Sequence, residues 1–395
     1  MPDGARLLLT GRGRILLPEP GPSPWAVLVE DGVVRRVGPL TDAPAAGDLE
    51  RIDLGDALVT PGLVDAHAHP AFAGDRSDEV AARLAGGEYS GGGIRRTVRA
   101  TRAASDEELT DLVEQRLRAA LAHGTTTIEC KSGYGLDTEH ELRSLRLIRH
   151  AAERVGIRAV RTFLGAHAVP EGMSREDYVH LLIAEMLPAV ADEADFCDVF
   201  CDRGFFTLDD ASRILGAARE RGLGLRIHAD QLTRSGAAEL AVRLGATSAD
   251  HLEQLSAEGV AALAGSSTVA TLLPGPALVM RDRLPPARAL LDAGATLALG
   301  SDANAGTFGS WSMPLVIGLA ATLLQMTLAE AVTAATSGGA ASLGRTALAG
   351  AIRPGMPADL VAWRAIHEGA FALRLGAVEP LQVWVGGVAR LSLTP

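Results

Sequence analysis

The sequence predicts an α/β chain built on a closed (β/α)8 barrel with a small discontinuous β-sandwich domain, and three observations carry that expectation. Eight apolar runs of strand length alternate with stretches of helical length between about residues 62 and 302. Strand-and-turn patterns without helices flank this region on both sides. No Gly-x-Gly-x-x-Gly segment opens a helix where an open, doubly wound sheet would place one.

In chain order, residues 7–10, 25–29, 33–37 and 58–60 are short apolar runs, with Asp31-Gly32 a hairpin turn between the second and third. The eight barrel strands are expected at 63–69, 125–131, 158–167, 196–201, 225–230, 247–252, 268–273 and 296–302. Between them, stretches such as 106–123 and 208–221 have helical length and an apolar face, the first opened by the capping pair Ser105-Asp106. Short strands return at 350–359, 360–363 and 383–391, and are expected to pair with the N-terminal strands. The division that follows is 1–60 and 349–395 for the two parts of the β-sandwich, with 61–348 as the barrel.

At 395 residues, 47% of them hydrophobic, the chain can bury a large core and a smaller one without disulfides. Its formal charge of −11 disfavours nucleic acid or an anionic membrane as partner, because both require a basic patch. A small solute is expected instead, and an anionic one must be held by a few local cations. Cys130, Cys197 and Cys201 lack CxxC spacing and read as buried thiols in a reducing cytoplasm. The first apolar run is broken after Thr10 by Gly-Arg-Gly-Arg, too early for a signal segment or a membrane span. Lys131 is the chain's sole lysine.

The segment PGLVDAHAH ends the first barrel strand, with His67 and His69 two residues apart and so on the same side of an extended chain. Two imidazoles at that spacing can reach one metal. The fifth strand ends in His228, the sixth in His251 and the eighth in Asp302, so three more metal-competent groups stand where sites of this fold are found. His167 ends the third strand. A packed histidine explains any one of these, but not their coincidence at strand ends. His123, His140, His150, His180 and His367 fall on helices or in the tail and read as structural or solvated.

His-x-His on strand one, His on strands five and six and Asp on strand eight resemble the amidohydrolase superfamily. In that superfamily a carboxylated lysine at the end of strand four bridges a second metal. Here strand four ends in Phe200, Cys201 and Asp202, while Lys131 ends strand two, so a single metal is expected. Longer stretches are similar to the imidazolonepropionase family: YSGGGIRRTVRATRAAS from Tyr89, GTTTIECKSGYGL from Gly124, TFLGAHAVP from Thr162, DVFCDRGFF from Asp198, SADHLEQLS from Ser248 and ATLLPG from Ala270. The similarity runs from about Leu58 to the C-terminus.

That resemblance implies one divalent metal ion, zinc or iron, held by His67, His69, His228 and Asp302. It implies substrate contacts at Arg76, Tyr134, His167, Gln231, Asn304, Gly306 and Thr307, and hydrolytic opening of an imidazolone ring that bears a propionate. Arg76 suits a carboxylate through its guanidinium fork, although a lone arginine is otherwise a surface ion pair. Tyr134 stands between two glycines in a tight turn, where packing is the alternative role. Asp302 is expected to accept a proton, and His251 to polarise the carbonyl. Some relatives carry Glu three residues after the strand-five histidine; this chain has Gln231, which cannot titrate and is assigned to orienting substrate. Ala305 and Thr307 stand where Pro and Ser are common, and Gly91-Gly92-Gly93 is a candidate lid segment.

A mononuclear aminohydrolase acting on a heterocyclic base would share the histidines and Asp302 but would not need Arg76 or the turn at Tyr134. A catalytically inactive barrel scaffold would purify without stoichiometric metal. A homodimer is expected as the commonest symmetric assembly.

Overall fold

The computed structural model describes residues 6–44, 49–86 and 92–392. Its first strands are β1 (Arg6–Gly11), β2 (Trp25–Glu30), β3 (Val33–Pro39), β4 (Glu50–Asp53) and β5 (Leu58–Pro61). The barrel strands follow as β6 (Leu63–Asp65), β7 (Thr125–Lys131), β8 (Arg158–Ala166), β9 (Phe196–Cys201), β10 (Gly224–Ala229), β11 (Ser248–His251), β12 (Val269–Leu272) and β13 (Leu297–Leu299). The last are β14 (Leu360–Trp363), β15 (Pro380–Val385) and β16 (Val388–Ser392).

Strands β6 to β13 lie side by side in chain order in one eight-stranded parallel sheet, and each overlaps its expected run. The seam between β13 and β6 is closed just past their ends. There Asp302 N donates to His67 O at 2.8 Å, His69 N donates to Ala303 O at 3.0 Å, and Ala68 bridges Ala303. A buried latch reinforces it: Asp65 accepts from Ser301 N at 2.8 Å and from Ser301 Oγ at 2.6 Å. The result is a TIM barrel whose first and last strands hold their C-terminal ends in register.

Helices cover the outside. The segment after β6 carries α1 (Ser77–Leu84) and α2 (Gly92–Ala103); α3 (Asp106–Ala122) and α4 (Thr138–Val155) flank β7. Ser105 caps α3 by accepting from Glu108 N at 3.1 Å, and Leu109, Val113, Leu117, Ala120 and Leu121 form its buried stripe at helical spacing. Of the candidate lid segment, Gly92 and Gly93 open α2, while Gly91 lies outside the described residues. Among the described residues no helix is long and apolar enough to cross a membrane.

The flanking strands depart from expectation in four ways. The C-terminal strands pair with β5 alone, in the order β16-β15-β14-β5, whereas β3-β2-β1-β4 is a separate sheet. What unites the N- and C-terminal segments is face packing, with Leu7, Leu9, Trp25, Val27 and Val29 meeting Val59, Leu360, Ala362 and Trp384 in one apolar layer. Residues 350–359 are turns with one bridge, Val33 to Pro357, rather than a strand. The run at 383–391 is a hairpin, because Gly386 and Gly387 take φ of 55° and 72°, the left-handed pair a two-residue turn needs. The polar strand β4 gives no apolar signal and is visible only by its pairing with β1.

Candidate active site

The mouth of the barrel collects the strand-end side chains. His67 Nε2 and His69 Nε2 face each other at 3.2 Å, the His228 ring packs 4.5 Å from that of His67, and one nitrogen from each of the three lies within 4.8 Å of the others. Asp302 Oδ1 stands 3.3 Å from His69 Nε2 and 3.7 Å from His67 Nε2. The chemistry of this donor set fits a divalent cation. His67 Nδ1 is paired at 2.7 Å with the Asp250 carboxylate, which can only accept, so Nε2 of the neutral ring presents a lone pair. Burial pulls the His67 pKa well below the ordinary range and that of His228 to about 4, so both stay in the neutral, ligating form. Burial opposes ionisation of Asp302, but its hydrogen bond to His69 and the neighbouring imidazoles hold it below the usual carboxylate range.

The backbone is strained where these groups turn inward. Asp230, His251, Leu252 and Asp302 all have positive φ, at 50°, 81°, 71° and 49°. Non-glycine residues rarely occupy this region, and such strain collects at functional sites.

Beneath the histidines the barrel interior is ionic, where branched aliphatic side chains ordinarily fill it. Lys131 Nζ, with no exposed side chain, lies 2.6 Å from Asp198 Oδ2 and 2.8 Å from Glu129 Oε2. Arg226, equally buried, lies 2.8 Å from Glu129 Oε1 and 2.9 Å from Asp250 Oδ2. Asp198 Oδ2 is 3.0 Å from His228 Nδ1, so Asp198 and Asp250 stand behind two of the three histidines. His67, Glu129 and Asp250 by themselves have the spacing of a second metal group, but the ammonium and guanidinium already neutralise that place. Lys131 is therefore an internal cation. The charges of Arg226 and Lys131 keep Asp250 ionised despite its burial, and the adjacent His228 imidazole together with the Lys131 ammonium does the same for Asp198.

The pocket above is small and is lined by His69, Arg76, Ile94, Tyr134, His167, Phe200, His228, Gln231, His251, Asp302, Asn304 and Thr307. The fold thus brings together every expected site residue except His67, which lies just behind, and Gly306, which backs Arg76. A Cβ on Gly306 would fall 2.4 Å from the Arg76 guanidinium carbon, so a larger residue there would displace the guanidinium from its present position. Arg76 is itself held by Glu79, Nε at 3.0 Å and Nη2 at 2.7 Å. Asn304 orders its own loop, donating to Asp302 O and Thr307 Oγ1 and accepting from Gly306 N and Thr307 N. His251 Nδ1 lies 3.4 Å from the buried Glu253 carboxylate, whose charge outweighs burial and raises the His251 pKa.

Sequence reasoning missed the supporting residues Asp65, Glu79, Glu129, Asp198, Arg226, Asp250 and Glu253. A signal did exist for several, since Asp65 and His67, Glu129 and Lys131, and Arg226 and His228 are each two apart on a strand and share a face.

Comparisons with known proteins identify the family. The model of the amidohydrolase family matches residues 58–390. The imidazolonepropionase of Saccharopolyspora erythraea is 47% identical over 366 residues, covering 92% of each chain. That of Salinispora tropica is 50% identical over 367 residues, 92% of this chain and 91% of its own, and that of Nocardia farcinica 44% over 389 residues, 96% and 97%. Among solved structures, an adenosine deaminase from Xanthomonas campestris with bound zinc superimposes with a TM-score of 0.76 at 21% identity, covering 99% of this chain and 94% of its own. An N-isopropylammelide isopropylaminohydrolase from Burkholderia multivorans gives 0.74 at 22% identity, covering 98% of each. At that identity the two solved structures speak for the fold alone. With the matched family model and relatives at this identity over nearly their whole length, the chain belongs to the amidohydrolase family and, within it, to the imidazolonepropionases.

Proposed function

We propose that this enzyme hydrolyses the ring amide C–N bond of 4-imidazolone-5-propanoate to N-formimidoyl-L-glutamate, in L-histidine degradation, with the pocket residues in the following roles. The observation that carries the reading is one small pocket with a metal-competent histidine cluster at its floor and a buried arginine at its wall. His67, His69, His228 and Asp302 would hold a single zinc or iron ion, both of which suit imidazole and carboxylate donors. Such an ion, when bound, lowers the pKa of water from 15.7 towards about 7 and polarises a carbonyl, which allows amide hydrolysis at neutral pH.

The chain's own residues do the rest. Asp302, kept ionised, takes the proton of the attacking water and delivers it to the departing ring nitrogen. His251, with Nδ1 directed at Glu253, offers Nε2–H to the carbonyl oxygen as negative charge develops there. Arg76 receives the propionate. His167 Nδ1 faces the Gly133 carbonyl at 2.9 Å and so carries the hydrogen; burial keeps the ring neutral, and Nε2 is left to accept a substrate N–H. Tyr134 and Gln231 orient the ring by hydrogen bonding, and the loop of Asn304, Gly306 and Thr307 packs over it. We also propose a cytoplasmic homodimer divided at residues 60 and 348 into sandwich and barrel; Cys130, Cys197 and Cys201 are free thiols, as a reducing compartment would leave them.

The test is hydrolysis of freshly prepared substrate, followed as loss of ultraviolet absorbance, before and after chelation, with Arg76→Ala and Asp302→Asn beside wild type. Activity that is lost on chelation, restored by metal and abolished in Asp302→Asn, together with a raised KM in Arg76→Ala, is expected. No turnover by metal-replete wild type would overturn the substrate assignment.

A further inference from the structure

Glu141 has no solvent exposure, lies in the first turns of α4, and does not cap that helix, because Asp137 already does so by accepting from His140 N at 2.9 Å. Its carboxylate instead reaches back over the turn that follows β7. Oε2 accepts from Gly133 N at 2.9 Å, and Oε1 accepts from Gly135 N at 2.7 Å and Leu136 N at 2.8 Å. Gly133 and Leu136 have φ of 101° and 56°, left-handed conformations that help to aim these N–H groups at one anion. The turn lies so close to the helix that a Cβ on Gly135 would fall 2.6 Å from Glu141 N.

Two pocket residues depend on this turn. Tyr134 sits inside it, between the first two N–H groups that Glu141 holds. The carbonyl of the same glycine matters as well: Gly133 O accepts the Nδ1–H of His167, and the rings of His167 and Tyr134 meet edge to face with centroids 5.2 Å apart. A carboxylate fully buried on this turn carries a desolvation penalty, which the three backbone N–H groups and the Ser132 side chain offset.

We propose that Glu141 is a positioning residue for substrate selectivity: through the backbone of the turn at Gly133–Leu136 it fixes both the location of Tyr134 and the Nδ1–H tautomer of His167. Any change that loosens the turn then weakens recognition of the heterocyclic ring while leaving the histidine cluster and Asp302 intact. The inference rests on the reading of Tyr134 and His167 as substrate contacts.

The experiment measures KM and kcat for 4-imidazolone-5-propanoate, metal stoichiometry and melting temperature in Glu141→Gln, Gly135→Ala, His167→Ala and Tyr134→Phe. Glu141→Gln turns an amide –NH2 towards backbone donors, and Gly135→Ala crowds the turn with the carboxylate in place, so a folding failure in one leaves the other. Both should raise KM on the order of tenfold or more, the scale seen when a group that orients a ligand is lost, with metal stoichiometry unchanged. The Glu141→Gln effect should not add to that of His167→Ala in the double variant. In 15N-histidine-labelled protein, the hydrogen-bonded imidazole N–H signal that vanishes in His167→Ala should also vanish in Glu141→Gln. Raised KM in His167→Ala and Tyr134→Phe beside unchanged KM in Glu141→Gln and Gly135→Ala would overturn this inference alone. Unchanged KM in His167→Ala and Tyr134→Phe would overturn the substrate reading and this inference with it.

Discussion

Replacing Lys131 by methionine should destabilise the enzyme through the charges it leaves behind rather than through lost packing. Methionine nearly fills the same volume, but it removes the ammonium that lies 2.6 Å from Asp198 and 2.8 Å from Glu129, all three side chains being without exposure. Arg226 remains beside Glu129 and Asp250, so Asp198 is the carboxylate left without a compensating cation in the barrel interior. Breaking a buried pair in this way costs about 3–5 kcal/mol. An unfolding entropy of about 2.1 cal/mol/K per residue, over 395 residues, makes that a fall in Tm of about 4–6 °C. The measurement is calorimetry of chelator-treated wild type and Lys131→Met, so that bound metal adds nothing to either curve. A companion experiment uses the sole lysine as a reporter: an amine-acylating reagent should leave Lys131 unmodified in the native protein and label it on unfolding, as mass spectrometry would show. A variant melting within about 1 °C of wild type, or a native Lys131 that labels readily, would refute the ionic interior as described.

Two other expectations follow from particular contacts. Glu253→Gln removes the charge beside His251 Nδ1, and should lower kcat on the order of ten- to a hundredfold with KM and metal content unchanged; equal losses of metal and activity would mean that Glu253 supports the fold instead. At the surface, Arg288 holds the Glu330 carboxyl down to about 2, with Thr327 N donating to it as well. Because the folded value lies below the unfolded one, the stability from ionised Glu330 is complete above about pH 5 and is lost as pH falls towards 2, so the Tm gap between wild type and Glu330→Gln should close across that window and not widen.

The sequence by itself determined the barrel and the placing of metal-competent side chains at its mouth. Apolar runs of strand length separated by amphipathic stretches are local patterns, and His67 and His69, His228, His251 and Asp302 stand at the ends of those runs, where this fold places its chemistry. The substrate roles proposed for Arg76 and Tyr134 came from resemblance, since neither residue carries a local pattern that distinguishes binding from packing. Only the tertiary structure decided which partners support them. Lys131, Asp198 and Asp250 come from strands β7, β9 and β11, more than fifty residues apart in each step, and their pairing is fixed by barrel closure rather than by spacing. Glu141 gives no signal of its own in sequence, where an acidic residue early in a helix reads as a favourable charge at the dipole's positive end. In the folded chain α4 packs against β8, the turn after β7 is pressed onto its first residues, and the same carboxylate becomes the acceptor for three of that turn's backbone N–H groups. The β-sandwich divides the same way: alternation marked its strands, but whether they pair edge to edge or pack face to face depended on Trp25, Trp384 and their neighbours finding one shared apolar layer.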